Sequence, residues 1–239
     1  MKLKRSLVLL LLLASRALAA ADVDSLLSTM SRREKIAQLI IEAIDSKESP
    51  ELRARQEGWI REGLGGLIVM DDGLVDNIQM VNELQSLARI PMIVSIDGEW
   101  GAAMRYYEYA AFPRAMQLGA LTDTLLVEQA GRRIGEELHA LKIFVNYAPV
   151  VDVNNNPANP VINTRSFGEN PWKVARMGAA YLRGMQGAGV FGSAKHFPGH
   201  GDTDVDSHKG LPVLLFDRAR LDSLELVPFR RLIARRSMN

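Results

Sequence analysis

The chain has 239 residues, of which 47% are apolar and 24% charged, with 29 basic and 28 acidic side chains. This composition is that of an ordinary globular protein with one large hydrophobic core, and it excludes a disordered tail. The sequence contains no cysteine, which excludes disulfide bonds and thiol chemistry within it.

The first nineteen residues have the pattern of a secretory signal peptide. Lys2, Lys4 and Arg5 precede the apolar run 7–14, which is too short to cross a bilayer. Residues 17–19, Ala-Leu-Ala, then supply a small-x-small cleavage site. We therefore expect residues 1–19 to be removed and the protein to be exported to the periplasm or the extracellular space, with no membrane anchor after cleavage.

Cleavage at this point changes the charge balance. Residues 1–19 carry four basic and no acidic side chains, so 25 basic and 28 acidic residues stay, a net charge of −3. This disfavours nucleic acid as a partner, because a nucleic-acid surface needs clustered positive charge. The main basic cluster is typical of the solvent-facing side of a helix over 228–236 and consists of Arg230, Arg231, Arg235 and Arg236.

Helical and strand-like stretches alternate along the rest of the chain. Ser31 and Glu34 predict a capping box at a helix start, and the apolar run 36–44 is either a buried helix or a first strand. Shorter apolar runs that end at turns or polar loops predict strands over 65–70, 91–97, 143–153 and 190–197. Periodic segments predict helices over 76–88, 123–141 and 171–186.

Strands separated by helices indicate parallel β-α units. Polar, glycine-rich loops follow the later strands, and in a (β/α)₈ barrel such loops gather on one face and carry the active site. A doubly wound sheet is disfavoured, because no glycine-rich nucleotide fingerprint follows an early strand. We predict an α/β fold of the (β/α)₈ TIM-barrel type over residues 20–239. The pattern supports about five β-α units, fewer than the eight of a closed barrel. Either the barrel is incomplete or the pattern misses strands, and we expect an incomplete barrel.

Residues 195–208, KHFPGHGDTDVDSH, hold three of the four histidines of the chain and three aspartates. A calcium loop of the EF-hand type is excluded, because it would need glycine where Ser207 stands and glutamate where Val213 stands. A catalytic zinc site is an open alternative, as is a purely structural polar loop. The zinc ligands would be an aspartate together with His196, His200 and His208.

The spacing of Asp206 and His208 suggests a fourth interpretation. Residues two apart in extended backbone point to the same face. The aspartate could hydrogen-bond one imidazole nitrogen and hold the tautomer, which leaves the other nitrogen to deliver a proton to a leaving group. Gly199 and Gly201 would let this loop swing over a bound ligand.

The run KHFPGHGDTDVDSHKGLP, residues 195–212, resembles the signature of glycoside hydrolase family 3 in its β-N-acetylglucosaminidase branch. Three further segments resemble the same family, and the resemblance runs from about Ser31 to the last residue: IDGEWGAAMR (96–105), FPRAMQLGA (112–120) and NYAPVVDVNNNPANPVINTRSFG (146–168). It implies a barrel domain and retaining hydrolysis of terminal N-acetyl-β-glucosaminides derived from peptidoglycan or chitin. The implied partner is a small saccharide or muropeptide, without a metal or organic cofactor.

The resemblance also implies roles for six residues: an acid/base dyad of Asp206 and His208, a hydroxyl-binding Asp97, and sugar-subsite residues Arg165, Lys195 and His196. Structural alternatives stay open. Asp97 would instead cap the next turn, and Arg165 would form a structural ion pair. Lys195 and His196 would support the residues that contact the sugar without contacting the sugar themselves. We expect His200 to shape the loop. Trp100 stands where the family more often has glycine, and is either a sugar-stacking platform or a core residue.

A retaining glycosidase also needs a nucleophilic carboxylate about 5 to 5.5 Å from the acid/base. In the family this is an aspartate in a Ser-Asp motif after the seventh strand, which the 239 residues do not match. Glu99 and Asp152 are the remaining strand-end carboxylates, but neither stands at the corresponding place. We therefore expect these residues by themselves to be inactive. The alternatives are a β-glucosidase or xylosidase of the same family, or a non-catalytic sugar-binding remnant.

Overall fold

The computed structural model describes residues 23–70, 73–206 and 208–236, with the side chains of the last helix described as far as residue 234. The predicted signal peptide lies outside these residues. The elements in chain order are α1 Val23–Thr29, α2 Arg32–Ala37, β1 Ile41–Ile44, α3 Pro50–Arg61, β2 Gly66–Val69, α4 Leu74–Ser86, β3 Ile93–Ile96, α5 Ala115–Gly119, α6 Thr124–Ala140, β4 Val145–Asn146, α7 Pro171–Gly187, β5 Phe191–Gly192, α8 Arg218–Ser223 and α9 Leu226–Arg236. Short 3₁₀ turns lie at Ala102–Met104 and Asn163–Arg165.

The strands form one parallel sheet in the order β1-β2-β3-β4-β5. Their register places Leu67 beside Val94, and Ser95 beside Val145. A doubly wound sheet reverses its strand order at a switch point, whereas here the spatial order follows the chain. The predicted barrel-type α/β architecture is therefore confirmed across the five strands of the described chain.

The helix starts follow the local sequence. The Ser31 hydroxyl accepts a hydrogen bond from the backbone of Glu34, and the Glu34 carboxylate accepts one from the backbone of Ser31 at 2.7 Å, which is the predicted capping box. Helix α7 starts with Asn170 as its cap and Pro171 at the first position, where the missing N–H of proline costs nothing. The predicted helix at the basic C-terminal cluster is present as α9.

Three predicted apolar runs have different boundaries in the structure. Run 36–44 is divided, because α2 ends at Ala37 and β1 begins at Ile41. Runs 143–153 and 190–197 contribute strands of only two residues each. Proline cannot donate to a strand ladder, so Pro149 ends regular pairing after β4, and only a single bridge between Val150 and Lys195 continues it.

The main core lies between the sheet and helices α6 and α7, with Leu67, Ile96 and Leu138 fully buried. These two helices approach closely because glycine faces backbone at the contact. A Cβ atom on Gly184 would lie 1.9 Å from the carbonyl oxygen of Glu128. No helix in the described ranges is long and apolar enough to cross a membrane. This packing fixes the sheet, and the polar residues of the candidate site lie at the carboxyl edge of that sheet.

Candidate active site

Four of the six residues singled out by the sequence meet at the carboxyl edge of the sheet, namely Asp97, Arg165, Lys195 and His196. Asp97 follows β3, whereas Lys195 and His196 follow β5. Neighbouring parallel strands end at the same edge, so residues about 100 positions apart become neighbours. Asn146 of β4 fixes the loop after β3, because its side-chain amide donates to the Gly98 carbonyl at 3.0 Å and accepts from the Gly98 N–H at 2.9 Å.

Lys195 lies between two carboxylates. Its Nζ atom is 2.5 Å from Oδ1 of Asp97 and 2.9 Å from Oε1 of Glu99. The other oxygen of Asp97 lies 3.7 Å from the Arg105 guanidinium. Asp97 therefore faces two cations instead of capping the following turn, and its side chain stays 29% exposed, which leaves it accessible to a ligand.

Glu99 joins Lys195 to Arg165. Arg165 binds the Glu99 carboxylate with two donors, Nε at 3.0 Å and Nη2 at 2.7 Å, in the fork geometry of strong arginine–carboxylate pairs. Burial by itself would raise the pKa of Glu99, but the hydrogen bonds from Arg165 and the charge of Lys195 outweigh it and lower the pKa. The ion pair considered as an alternative for Arg165 is thus present, with a glutamate to which the sequence assigned no role.

Asp152 is the buried anchor of the histidines that follow β5. Its carboxylate accepts from Nδ1 of His196 at 2.6 Å, from the backbone N–H of His196 at 3.2 Å and from that of His200 at 2.7 Å. Nε2 of His196 lies 3.3 Å from Nη2 of Arg165. Arginine can only donate, so we assign the Nε2 atom as the acceptor and place the proton on Nδ1.

These contacts form one continuous chain of polar groups, which we call the strand-end network: Asp97, Lys195, Glu99, Arg165, His196 and Asp152. Each carboxylate in it is paired with Lys195, Arg165 or His196, and His196 links Arg165 to Asp152. Such a network offers fixed acceptors and donors to a ligand rich in hydroxyl groups. The sequence could have indicated Glu99 and Asp152 only as charged residues at the ends of apolar runs.

The loop after β5 is packed against the body of the protein through His200. His200 is buried, its Nδ1 hydrogen-bonds the Thr203 hydroxyl, and its carbonyl accepts from Nδ2 of Asn159 at 2.7 Å. Gly199 has φ +139°, and a Cβ on Gly201 would lie 1.8 Å from the Val153 carbonyl oxygen. The two glycines thus allow close packing in this structure, and the swing of the loop over a ligand stays a prediction.

Asp206 and His208 contact each other as their spacing predicted. Nδ1 of His208 is 2.7 Å from Oδ1 of Asp206, and the His208 backbone N–H donates to the same oxygen at 2.9 Å. The backbone and side-chain hydrogen bonds from His208 lower the pKa of Asp206. The imidazole is 79% exposed, and within the described residues no hydrogen bond joins this pair to the strand-end network. Its acid/base role stays a prediction.

The three histidines of the loop bind different partners. His196 binds Asp152, His200 binds Thr203, and His208 binds Asp206. In the part of the chain that the structure describes, no three His, Asp or Glu residues are arranged to hold a metal ion. The zinc site considered from the sequence therefore has no assembled ligand set among these residues.

Trp100 is half-buried next to Glu99, and one face of its ring is covered. The guanidinium carbon of Arg114 lies 3.9 Å from the centre of the indole ring, which is a close cation–π stack. A stacking platform for sugar on that face is excluded while Arg114 occupies it.

Comparison with known proteins agrees with these features. A family model described as "Glycosyl hydrolase family 3 N terminal domain" matches residues 31–238. Beta-hexosaminidase A of Pseudoalteromonas piscicida is 41% identical over 186 residues, covering 72% of this chain and 31% of that protein.

Two solved structures are also similar. The glycoside hydrolase family 3 beta-N-acetylglucosaminidase of Paenibacillus sp. str. FPU-7 matches with a TM-score of 0.76 at 38% identity, over 87% of this chain and 40% of the other. NagZ of Neisseria gonorrhoeae in complex with N-trifluoroacetyl-D-glucosamine matches with a TM-score of 0.70 at 29% identity, over 81% of this chain and 59% of the other. The 239 residues thus span between about a third and three fifths of the length of these relatives.

Proposed function

Because the chain belongs to glycoside hydrolase family 3, we propose that it supplies the sugar-binding and acid/base residues of a retaining β-N-acetylglucosaminidase. The substrate would be a terminal N-acetyl-β-glucosaminide, presented as a small saccharide or a muropeptide. The observation that carries the proposal is the strand-end network, in which Asp97 is held between two cations and stays accessible.

Sugar binding would use both kinds of group in the network. The Asp97 carboxylate would accept hydrogen bonds from two pyranose hydroxyls, while Lys195 and Arg165 would donate to others. These side chains are already oriented by Glu99 and Asp152, so little reorganisation is required when the ligand arrives. His196 would lie beside these side chains in the tautomer with its proton on Nδ1, which the hydrogen bond to Asp152 sets.

Proton transfer would use the dyad. Asp206 holds the Nδ1 side of His208, so Nε2 would protonate the glycosidic oxygen as the bond to the leaving group breaks. The same nitrogen would then take a proton from water when the glycosyl-enzyme is hydrolysed. The loop would have to bring His208 to the network in the complex, because the two are not joined in this structure.

The nucleophilic step needs a carboxylate that is free to attack. The three carboxylates of the strand-end network are already bound: Asp97 and Glu99 to Lys195 and Asp152 to His196. We therefore expect the 239 residues by themselves to bind the sugar without turning it over. A non-catalytic sugar-binding remnant would also bind the sugar without hydrolysing it, so sugar binding is the first property to measure.

Calorimetric titration with N-acetylglucosamine and with glucose tests the proposal. We expect the acetamido sugar to bind more tightly, and Asp97→Asn to weaken it about tenfold or more, since a charged acceptor of two hydroxyls is lost. Asp204→Asn, at an exposed aspartate of the loop after β5 and outside the strand-end network, is the control for the same charge change. Tighter binding of glucose would favour the β-glucosidase alternative, and failure of the wild type to bind either sugar would overturn the proposal.

We also propose that the protein is exported through its N-terminal segment, to the periplasm or the extracellular space. The support is the charged, apolar and small-x-small pattern of residues 1–19. Expression in a bacterial host followed by N-terminal sequencing tests this. A mature product that begins at Ala20 is expected, whereas a cytoplasmic product that keeps Lys2 would contradict it.

A further inference from the structure

Trp100 and Arg114 form a fixed pair beside the strand-end network. Both lie between β3 and α6, and the backbone N–H of Phe112 donates to the Trp100 carbonyl at 3.1 Å, which joins their two loop segments. The Arg114 guanidinium stacks 3.9 Å above the indole ring. A long side chain on the surface is thereby restricted to a small set of orientations.

Stacking leaves the hydrogen-bonding capacity of Arg114 available. The contact with Trp100 uses the flat face of the guanidinium, whereas its five N–H donors lie in the plane of that group. The neighbouring carboxylate of Glu99 is paired with Arg165 and Lys195, and the guanidinium of Arg114 takes no part in that pairing. The pair therefore presents an oriented, charged fork to an external acceptor.

The guanidinium fork of Arg114 lies next to the proposed sugar site. Trp100 and Arg114 line the same small cavity as Glu99 and Arg165, which belong to the strand-end network. The same pair also lines an open groove together with Thr164, the neighbour of Arg165. Arg114 thus borders the network without contributing to its internal ion pairs.

We propose that Trp100 and Arg114 form a binding site for a carboxylate on the group linked to the sugar, that is, an acidic aglycone. The inference rests on the proposed function for the sugar itself. A carboxylate matches the fork of a guanidinium with two parallel hydrogen bonds. Muramic acid carries such a carboxylate and N-acetylglucosamine does not, so the site would favour peptidoglycan-derived over chitin-derived substrates.

The chain offers a matched control for this site. Arg55 also stacks on a tryptophan, with its guanidinium carbon 5.1 Å from the ring centre of Trp59. That pair lies on α3, and Trp59 borders a different groove, with Leu64 just before β2. Arg55→Gln therefore removes the same charge and the same kind of stack at the opposite end of the sheet.

Non-hydrolysable ligands test the site without requiring turnover. We would measure the binding of 3-carboxyphenyl and 4-carboxyphenyl 1-thio-N-acetyl-β-glucosaminides, each against its neutral carbamoylphenyl counterpart. In the wild type we expect at least one carboxylate to bind about five- to tenfold more tightly than its amide, with a preference that weakens as salt is raised. Arg114→Gln should abolish this preference, Arg114→Lys should keep only part of it, and Arg55→Gln should leave it intact.

The outcomes separate this inference from the proposed function. Equal binding of carboxylate and amide by the wild type, or an unchanged preference in Arg114→Gln, would overturn the acidic-aglycone site while the sugar assignment stands. If none of the four glycosides binds, the proposed function fails. Benzoate alone then tests the anion site separately, since it should shift the Trp100 indole N–H resonance in the wild type and not in Arg114→Gln. The absence of such a shift would overturn the site on its own.

Discussion

The carboxylate of Asp152 holds both the ring and the backbone N–H of His196, although the two residues are 44 positions apart. The carboxylate is fully buried, and these donors together with the N–H of His200 supply its hydrogen bonds. One group therefore fixes the tautomer of His196 and the path of the loop that leads to the Asp206–His208 pair.

Replacing Asp152 by asparagine should weaken this arrangement. The side-chain amide of the variant would place its own N–H groups against the N–H groups of His196 and His200, which are also donors. We therefore expect the free energy of unfolding, measured by urea denaturation, to fall by about 2–4 kcal/mol. ¹⁵N NMR of wild-type His196 should show the proton on Nδ1, and the variant should lose that preference. Asp204→Asn is the control, and an Nε2–H tautomer in the wild type would contradict the assigned role.

Glu99→Gln tests the charge at the centre of the strand-end network. The variant leaves Lys195 and Arg165 without their shared anion, and we expect a loss of about 2–3 kcal/mol in unfolding free energy at neutral pH. The pKa of Glu99 is lowered in the folded state, so its contribution is present above the pKa of the unfolded chain and is lost as the pH falls through the folded pKa.

The stability difference between wild type and Glu99→Gln should therefore begin to shrink as the pH falls below the ordinary pKa of a glutamate, and should continue to shrink as the pH falls through the lowered pKa of folded Glu99, where the carboxyl becomes protonated and resembles the amide. Urea denaturation at a series of pH values measures this. A difference that stays constant from neutral to acidic pH would show that the charge of Glu99 does not stabilise the network.

A pair of glycine substitutions tests whether the loop after β5 is held by close packing. Gly201→Ala would place a methyl group against the Val153 backbone, with no flexible side chain to yield, and should destabilise the protein by about 3 kcal/mol. Gly58→Ala, inside α3 with open space around it, should stabilise by about 0.5–1 kcal/mol. Thermal unfolding compares them, and a tolerated Gly201→Ala would indicate a loop free of this contact.

The Asp206–His208 contact can be measured by the carboxyl titration of Asp206. Its pKa should lie below the ordinary value for aspartate, because His208 donates through both its backbone and its ring. His208→Ala removes the ring and keeps the backbone N–H, so the pKa should return only part of the way. ¹³C NMR of the side-chain carboxyl follows the titration. No difference between the two proteins would mean that the ring contact is absent in solution.

The acid role of His208 predicts a dependence on the leaving group in any catalytically active form of the protein. His208→Ala should reduce kcat/KM by about 10² to 10⁴ on glycosides with poor leaving groups, which need protonation, and far less on activated aryl glycosides. Steady-state rates on the two substrate types measure the contrast. Equal losses on both would remove His208 from this role.

The local sequence pattern was sufficient to predict the β-α architecture, one helix cap and one contact between side chains of the candidate site. Alternating strand-like and helical periods predicted parallel β-α units, because a parallel strand needs a crossover helix before the next one. Ser31 and Glu34 predicted their capping box, and Asp206 and His208 their contact, since both depend on residues three or two positions apart. Interactions of such short range are set by backbone geometry, which the sequence largely determines.

The strand-end network depended on tertiary structure. Lys195 meets Asp97 and Glu99 across about 100 residues only because β3, β4 and β5 pair in parallel with the observed register. Glu99 and Asp152 looked like ordinary strand-end carboxylates in the sequence, and their partners were undefined until the sheet brought them together. The sequence by itself thus determined which chemical groups stand at the strand ends, while the register of the sheet decided which of them neutralise one another and which stay accessible to a ligand.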